Sequence, residues 1–411
     1  VSGNKRFIAP TVSHPLMKTH FKILIIGGGT AGITVAARLA RKTAASDIAI
    51  IEPADKHYYQ PLWTLVGGGI FPKKRSQREE AGLIPKGVTW LQDAATAFEP
   101  DENRVLTRDG KSVTYEWLVV APGLQLNWGK IPGLKESIGT RSVCSNYAYQ
   151  YVDYTWETLR NFKSGTALFT HPTGAVKCGG APQKIMYLAE DWMRRQGWRG
   201  QTKVVFMTAL PKMFAVEKYC KTLDKHVADR GINVNFRQNL IELKPDAKEA
   251  VFENLDTKEQ STIRYDMIHV TPPMGPPDFV KSSALANADG WVEVDKFTLR
   301  HLRFPKVFAL GDASSLPTSK TGAAIRKQAP VLVENLLAAM KEAPLTGRYN
   351  GYTSCPIVTA RGKLIMAEFD YDGKAQETFP IDQGKERYSM YLVKKWLLPL
   401  FYWRVMLKGL G

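Results

Sequence analysis

Four cysteines, Cys144, Cys178, Cys220 and Cys355, are the candidate redox groups of this chain. No pair is spaced as C-x-x-C and none stands at zinc-binding spacing. Cys178 has the most reactive setting. It lies in Val176-Lys177-Cys178-Gly179-Gly180-Ala181-Pro182-Gln183-Lys184, a Gly-rich loop that runs into a predicted helix. Lys177, Lys184 and the helix N-terminus all favour thiolate over thiol there. The alternative for Cys178, as for Cys355, is a small buried hydrophobe. Cys220 shares a helix face with Val216, Leu223 and Val227, which is core spacing. Cys144 stands in no motif. The histidines occur singly, at no ligand spacing, so no metal is expected.

The second constellation is Gly27-Gly28-Gly29-Thr30-Ala31-Gly32, a G-x-G-x-x-G turn. Gly27 permits the tight turn, Gly29 lets a pyrophosphate approach the backbone, and Gly32 lets helix and strand pack closely. Free N–H groups at the helix start, from Thr30 and Ala31 onward, face the phosphates. Glu52 follows Gly32 at about the 20-residue distance at which an acid takes the ribose hydroxyls. The turn is the signature of a dinucleotide site because strand, helix, second strand and acid occur in order.

The elements that must position these groups are legible as periodicities. Phe21–Ile26 is an apolar strand, Ile33–Lys42 a helix and Ile48–Ile51 a second strand. Lys73–Glu80 is charged and expected on the surface. Short strands follow at Val88–Leu91, Ala94–Phe98, Val105–Thr107 and Tyr115–Ala121. A new alternation begins near Thr166. It has strands at Ala167–Thr170, Val204–Met207, Ile232–Phe236 and Met267–Val270, helices at Pro182–Arg195 and Phe214–Asp229, and a hairpin of Leu240–Leu243 with Ala250–Glu253. Val307–Asp312 is a strand with a Gly-Asp end, and Thr318–Asn335 is largely helical. Cys355–Thr359 and Lys363–Phe369 form a hairpin. The fold class is therefore α/β, with two Rossmann-like βαβ domains and a C-terminal membrane-interacting segment. The domain boundaries are 1–20 for an N-terminal extension, 21–143 and 290–340 for the two parts of the dinucleotide domain, 144–289 for the second Rossmann-like domain carrying Cys178, and 341–411 for the C-terminal hairpin and amphipathic region.

The 411 residues carry a net charge of +17, with 44% hydrophobic and 10% aromatic residues. That excess calls for an anionic partner. No nucleic-acid module is present, so an anionic membrane surface and small anions are the expected partners. Tyr388–Leu410 mixes Trp, Tyr and Leu with Lys394, Lys395, Arg404 and Lys408. It is interrupted, with Pro399 as a break, and suits a helix pair lying in the headgroup layer; domain packing is the other use of such a segment. Residues 1–16 precede Met17 and read as an extended start, a transit-peptide remnant or a scar.

With these motifs in view, and with Ala121-Pro122-Gly123 and Leu310-Gly311-Asp312 as strand ends, the chain resembles the two-dinucleotide-domain flavoproteins of the FAD/NAD(P)-binding type. The segment Val176–Lys184, together with Gly351-Tyr352-Thr353-Ser354-Cys355-Pro356 and Tyr59–Gly67, looks like sulfide:quinone oxidoreductase, particularly its mitochondrial group. The resemblance runs from about Lys22 to the C-terminus. It implies FAD on the first βαβ, Asp312 at the ribityl chain or phosphate, and Lys320-Thr321-Gly322-Ala323 at the flavin edge. It implies Gln60, Ala95 and Gly123 as further cofactor contacts. It implies a Cys178/Cys355 disulfide, or a sulfur-bridged form of it, attacked by hydrosulfide. Cys355 would take the sulfur, the Cys178 thiolate would pass electrons to the flavin, and a small nucleophilic acceptor would remove the sulfane sulfur. Lys184 and Lys385 are the candidate cations near the reacting groups; for Lys385, in the charged run Lys385-Glu386-Arg387, a solvated surface lysine is the other reading. A membrane quinone is the final acceptor, on the bacterial or mitochondrial inner membrane, with the protein peripheral and monotopic; a homo-oligomer is compatible with this. Any further C-terminal membrane segment of the family is expected to be absent or short. After the strand at Ala167 the chain reads His171-Pro172-Thr173-Gly174-Ala175, without a second G-x-G-x-x-G, which argues against the alternative of a type II NADH:quinone oxidoreductase. A non-catalytic membrane-associated FAD-binding protein is the alternative from another class.

Overall fold

The computed structural model describes residues 18–411, so the extension expected at 1–16 lies outside the described residues. The first unit contains strand β1 (His20–Ile26), helix α1 (Thr30–Leu39), and strands β2 (Ile48–Ile51), β3 (Thr89–Leu91), β4 (Ala95–Glu99), β5 (Arg104–Thr107) and β6 (Ser112–Val120). Their order in the sheet is β3-β2-β1-β6-β5-β4. β1 pairs in parallel with both β2 and β6, and Ile23–Ile26, Ile48–Ile51 and Leu118–Val120 are continuous apolar runs because both faces of the sheet are covered there.

The second unit contains β7 (Val143–Cys144), β8 (Gly165–His171), α2 (Ala181–Arg195), β9 (Thr202–Thr208), α3 (Glu217–Asp229), β10 (Asn233–Asn235) and β11 (Met267–His269). These strands form a parallel sheet in the order β7-β11-β8-β9-β10. The hairpin expected at 240–253 is a three-stranded sheet, because Gln260–Arg264 pairs with Glu249–Asn254. That third strand is polar and almost wholly exposed, so it shows no apolar alternation.

The chain then returns. β12 (Val307–Ala309) pairs with β6, adding a strand to the first sheet. Helix α4 (Gly322–Ala339) begins later than expected, because Thr321 caps it by accepting from Ala324 N at 3.0 Å. β13 (Thr353–Ala360) and β14 (Lys363–Phe369) form the antiparallel hairpin that carries Cys355.

Two expectations are corrected. Lys73–Glu80 is not uniformly exposed: Ser76 and Glu80 are buried, and Gln77–Glu79 pairs with Lys56–Tyr58. The cause is His57, whose Nδ1 lies 3.1 Å from Glu80 Oε2 and draws the carboxylate inward. Pro399 does not break the C-terminal segment. Tyr388–Leu392 continues through a π-turn at Val393–Leu397 into Leu398–Arg404. Pro399 stands in the first turn after the π-turn, where the missing N–H costs little.

Gly32 anchors the crossing of α1 over β1. A Cβ there would stand 1.8 Å from the carbonyl oxygen of Gly27, whereas one on Gly29 would meet nothing within 4 Å. Gly32→Ala should therefore destabilise the apoprotein by about 3 kcal/mol, and Gly29→Val should leave its thermal melting unchanged while costing FAD. Melting curves and flavin absorbance of the two purified variants check this.

Candidate active site

The two units and the C-terminal segment enclose a cavity of about 420 Å³. Cys178, Lys177, Lys184, Thr30, Gln60, Asp312, Lys320, Thr321, Gly322 and Ala323 line it. The loop between β8 and α2 brings Cys178 there. It is stitched to the segment before α4 by Cys178 N donating to Lys320 O at 2.9 Å, and it closes through Ala181 N donating to Cys178 O at 2.7 Å. Cys178 itself adopts a left-handed backbone, φ 54°. That conformation is uncommon outside Gly, Asn and Asp, and such outliers concentrate at functional sites.

The hairpin brings Cys355 to the same place. Its Sγ lies 3.1 Å from Cys178 Sγ. Lys184, at the end of the first turn of α2, donates from Nζ to Cys178 Sγ at 3.1 Å. The hydrogen bond from Cys355 and the nearby Lys184 ammonium hold the Cys178 thiol well below the usual range, although burial works against them. The same bond, with burial, pushes Cys355 well above it. Burial alone would discharge Lys184, but the two sulfurs keep it protonated. The pair is thus polarised, with Cys178 as thiolate and Cys355 as thiol. Cys355 is enclosed, and a Cβ on Gly180 would stand 2.6 Å from its Sγ, so a glycine there is required for the sulfurs to meet. Cys144 and Cys220 are buried in the core, and burial raises both thiols, Cys144 to about 12.

The dinucleotide turn lies at the other side of Thr30. Glu52 accepts from Gly28 N at 2.7 Å and Ala54 N at 2.8 Å. Gly29 is exposed with open space beside it, and α1 presents its first N–H groups there. Gly27 and Gly32 form the tight crossing below, and Ala31 is buried in it; Gly123 has a left-handed backbone, φ 78°, with open space beside it. A groove floored by backbone N–H groups, with an acid at its far end, fits the pyrophosphate and ribose of FAD. Asp312 and Lys320 continue this line into the cavity.

Ala95 opens β4 opposite Thr107 and does not line the cavity. Lys385 does not reach the cavity and is the solvated surface lysine of the two alternatives. Its side chain is 73% exposed and reaches only Asp382, at 3.9 Å, because it sits in a polar turn before the C-terminal helices. The cavity's second buried lysine, besides Lys184, is Lys394, which donates to Pro61 O at 2.8 Å. Burial and the neighbouring Lys184 lower it to about 7. A consecutive lysine pair inside an apolar run is the signal for it: on a helix, adjacent side chains diverge by about 100°, so one of the two must turn inward. Tyr402 was also not singled out. Its hydroxyl lies 2.7 Å from Thr30 Oγ1 and 2.6 Å from His57 Nε2, joining the C-terminal helix to the dinucleotide turn.

The pyridine nucleotide-disulphide oxidoreductase family matches residues 21–342. The chain is 51% identical over 396 residues to a mitochondrial sulfide:quinone oxidoreductase of Dictyostelium discoideum, covering 96% of this chain and 87% of that protein. It is 47% identical over 393 residues to the mitochondrial enzyme of Mus musculus, covering 95% and 87%. Among solved structures, the sulfide:quinone oxidoreductase of Aquifex aeolicus superposes with a TM-score of 0.83 at 19% identity, covering 95% of this chain and 92% of that one, which is a likeness of fold.

The polarised pair makes a titration prediction. A cation beside the thiolate lowers its pKa, so reduced protein should alkylate at Cys178 with half-maximal rate well below the pH of about 8.5 at which a free thiol is half ionised. Lys184→Met removes the cation and should move that midpoint upward. Rates of iodoacetamide labelling against pH, read by peptide mass, check both.

Proposed function

Because the chain belongs to the sulfide:quinone oxidoreductase family, we propose that Cys178 and Cys355 carry its sulfur chemistry and that the cavity beside them is where cofactor and quinone meet. The enzyme is an FAD-dependent oxidoreductase that oxidises sulfide and reduces quinone. The observation that carries the site assignment is the contact of two sulfurs at 3.1 Å, with the Lys184 ammonium beside the pair and donating to Cys178 Sγ at 3.1 Å.

In the proposed cycle hydrosulfide attacks Cys355 Sγ of the disulfide. The S–S bond breaks, Cys355 holds –S–SH, and Cys178 leaves as thiolate beside Lys184. Leaving-group ability rises as thiol pKa falls, so the polarity of the pair sets the direction of attack. A small nucleophilic acceptor then takes the outer sulfur, and Cys355 returns as thiolate. Re-forming the disulfide from two thiolates releases two electrons. FAD supplies the two-electron carrier between this pair and the quinone. Gly27–Gly32, Glu52 and Asp312 are the residues that would hold it, and α4 directs its N-terminus, with Gly322 and Ala323, into the cavity. Thr321 caps that helix, which favours a negative charge near its first turn.

The C-terminal run supports attachment to an anionic membrane surface. Trp396, Leu397, Leu400 and Tyr388 are all about half exposed or more, at 47%, 50%, 58% and 64%. Arg75 and Lys395 lie over Phe71 and Trp396 beside them. Apolar rings rimmed by cations suit the headgroup layer. Among the described residues no helix is long and apolar enough to cross a membrane. The relatives named mitochondrial support a peripheral position on the mitochondrial rather than a bacterial membrane.

Three outcomes are expected. Cys178→Ser and Cys355→Ser should retain FAD and lose sulfide-dependent quinone reduction, while Cys144→Ser and Cys220→Ser turn over nearly normally; steady-state assays of all four decide. In stopped-flow mixing, sulfide should bleach the flavin and NADH should not, since no pyrophosphate turn follows β8. Trp396→Glu with Leu400→Glu should weaken co-sedimentation with anionic liposomes at least about tenfold at unchanged flavin content, two charges being set against several kcal/mol of interfacial burial. Deleting the whole segment is a poorer test, because Lys394 and Tyr402 belong to the cavity wall.

A further inference from the structure

The cavity has two unlike ends. Val393, Leu397, Leu398, Phe401 and Met406 of the C-terminal run form an apolar wall. At the other end Tyr352, Glu368, Thr378 and Arg326 reach the surface of the cavity. An amphiphilic space of this kind matches a quinone, with its polar ring at one end and its hydrocarbon tail at the other.

The polar end is ordered around Glu368, which is 5% exposed. It is a register partner of Ser354 across β13 and β14, and both side chains face the cavity. Tyr352 OH donates to Glu368 Oε1, as does Thr378 Oγ1 at 3.0 Å. Thr378 N and Gln383 Nε2 donate to Oε2 at 2.8 and 2.7 Å. Arg326 Nη2 donates to Tyr352 OH at 3.3 Å, and its guanidinium lies 5.5 Å from the centre of that ring. Thr378 is exposed. A connected line of exchangeable groups therefore runs from solvent at Thr378, through the Glu368 carboxyl, to the Tyr352 hydroxyl at the cavity. Two of the cavity's other polar groups are otherwise engaged. Lys394 donates to Pro61 O, and the Tyr402 hydroxyl is shared between Thr30 and His57.

We propose that Tyr352 and Glu368 deliver the protons for quinone reduction. The inference rests on the sulfide:quinone reading. Reduction of a quinone to its quinol takes two electrons, which the reduced flavin supplies, and two protons. Each new quinol O–H forms as Tyr352 OH gives its proton to a quinone oxygen. Solvent at Thr378 protonates the Glu368 carboxylate, which passes that proton on to the phenolate. The relay runs twice per quinone. Arg326 beside the hydroxyl stabilises the transient phenolate.

The test separates the half-reactions in the FAD-loaded enzyme, with Tyr352→Phe, Glu368→Gln and Thr378→Val. Flavin reduction by sulfide should stay within about twofold of the parent. Reoxidation by a short-chain ubiquinone should slow about 100-fold in the first two variants, the lower range of general acid catalysis. It should slow less in Thr378→Val, where water can substitute. Reoxidation by ferricyanide, which takes electrons without protons, should be unchanged in all three. Parental rates with ubiquinone in Tyr352→Phe and Glu368→Gln would overturn the proposal. Equal slowing with ferricyanide would also overturn it, by assigning the loss to a displaced flavin. Failure of the parent enzyme to bleach with sulfide would instead contradict the underlying functional reading.

Discussion

The chemistry of the site depends on one buried electrostatic contact, the Lys184 ammonium against the Cys178 sulfur. A thiolate taken out of water is costly unless a cation and hydrogen bonds replace the lost hydration. Lys184 supplies the first and Cys355 the second. Much of the local architecture serves to hold three atoms together. Cys178 occupies a left-handed backbone conformation, its N–H is tied to Lys320 O, Gly180 leaves room for the opposing sulfur, and the hairpin carries Cys355 in from a different unit. A buried ion pair of this kind is weak as a stabiliser, but removing one partner leaves an uncompensated charge worth about 3–5 kcal/mol. The contact therefore sets the polarity of the disulfide more than it sets the stability of the fold.

The C-terminal segment joins the two readings that its composition allowed. One face packs: Lys394, Tyr391 and Tyr402 are buried, and Tyr402 is bonded to the dinucleotide turn through Thr30 and to the His57–Glu80 pair. The other face exposes Trp396 and Leu400, and Leu397, half exposed, stands at the edge of the cavity. The π-turn at Val393–Leu397 widens the helix where Lys394 turns inward and Trp396 turns outward, a place where such turns accompany function. A membrane-facing surface and a cavity wall are thus opposite sides of one short helical run.

The parts of the fold that were legible in the sequence are those governed by local periodicity. The strand–turn–helix at 21–39, the helix at 181–195 and the hairpin at 353–369 follow from apolar runs, glycine turns and the Pro at a first turn. The parts that were not legible depend on long-range pairing. Gln260–Arg264 is a strand only because a neighbouring edge accepts it. Glu80 is buried only because His57 lies opposite. Lys385 and Lys394 both stand in basic, helix-flanking sequence, and only the packing of the C-terminal run onto Pro61 decides which ammonium enters the cavity. The proximity of Cys178 to Cys355 likewise has no local signal; it came from family resemblance, and the geometry now gives it a distance and a polarity.

The most direct test of this account is to find where the sulfur goes in one turnover. Oxidised enzyme is mixed with a single equivalent of sulfide, without acceptor, quenched with an alkylating agent and digested for peptide mass measurement. The account predicts one added sulfur on the peptide of Cys355, capped as an alkylated persulfide, and a singly alkylated Cys178. An added sulfur on the Cys178 peptide, or none on either, would contradict it.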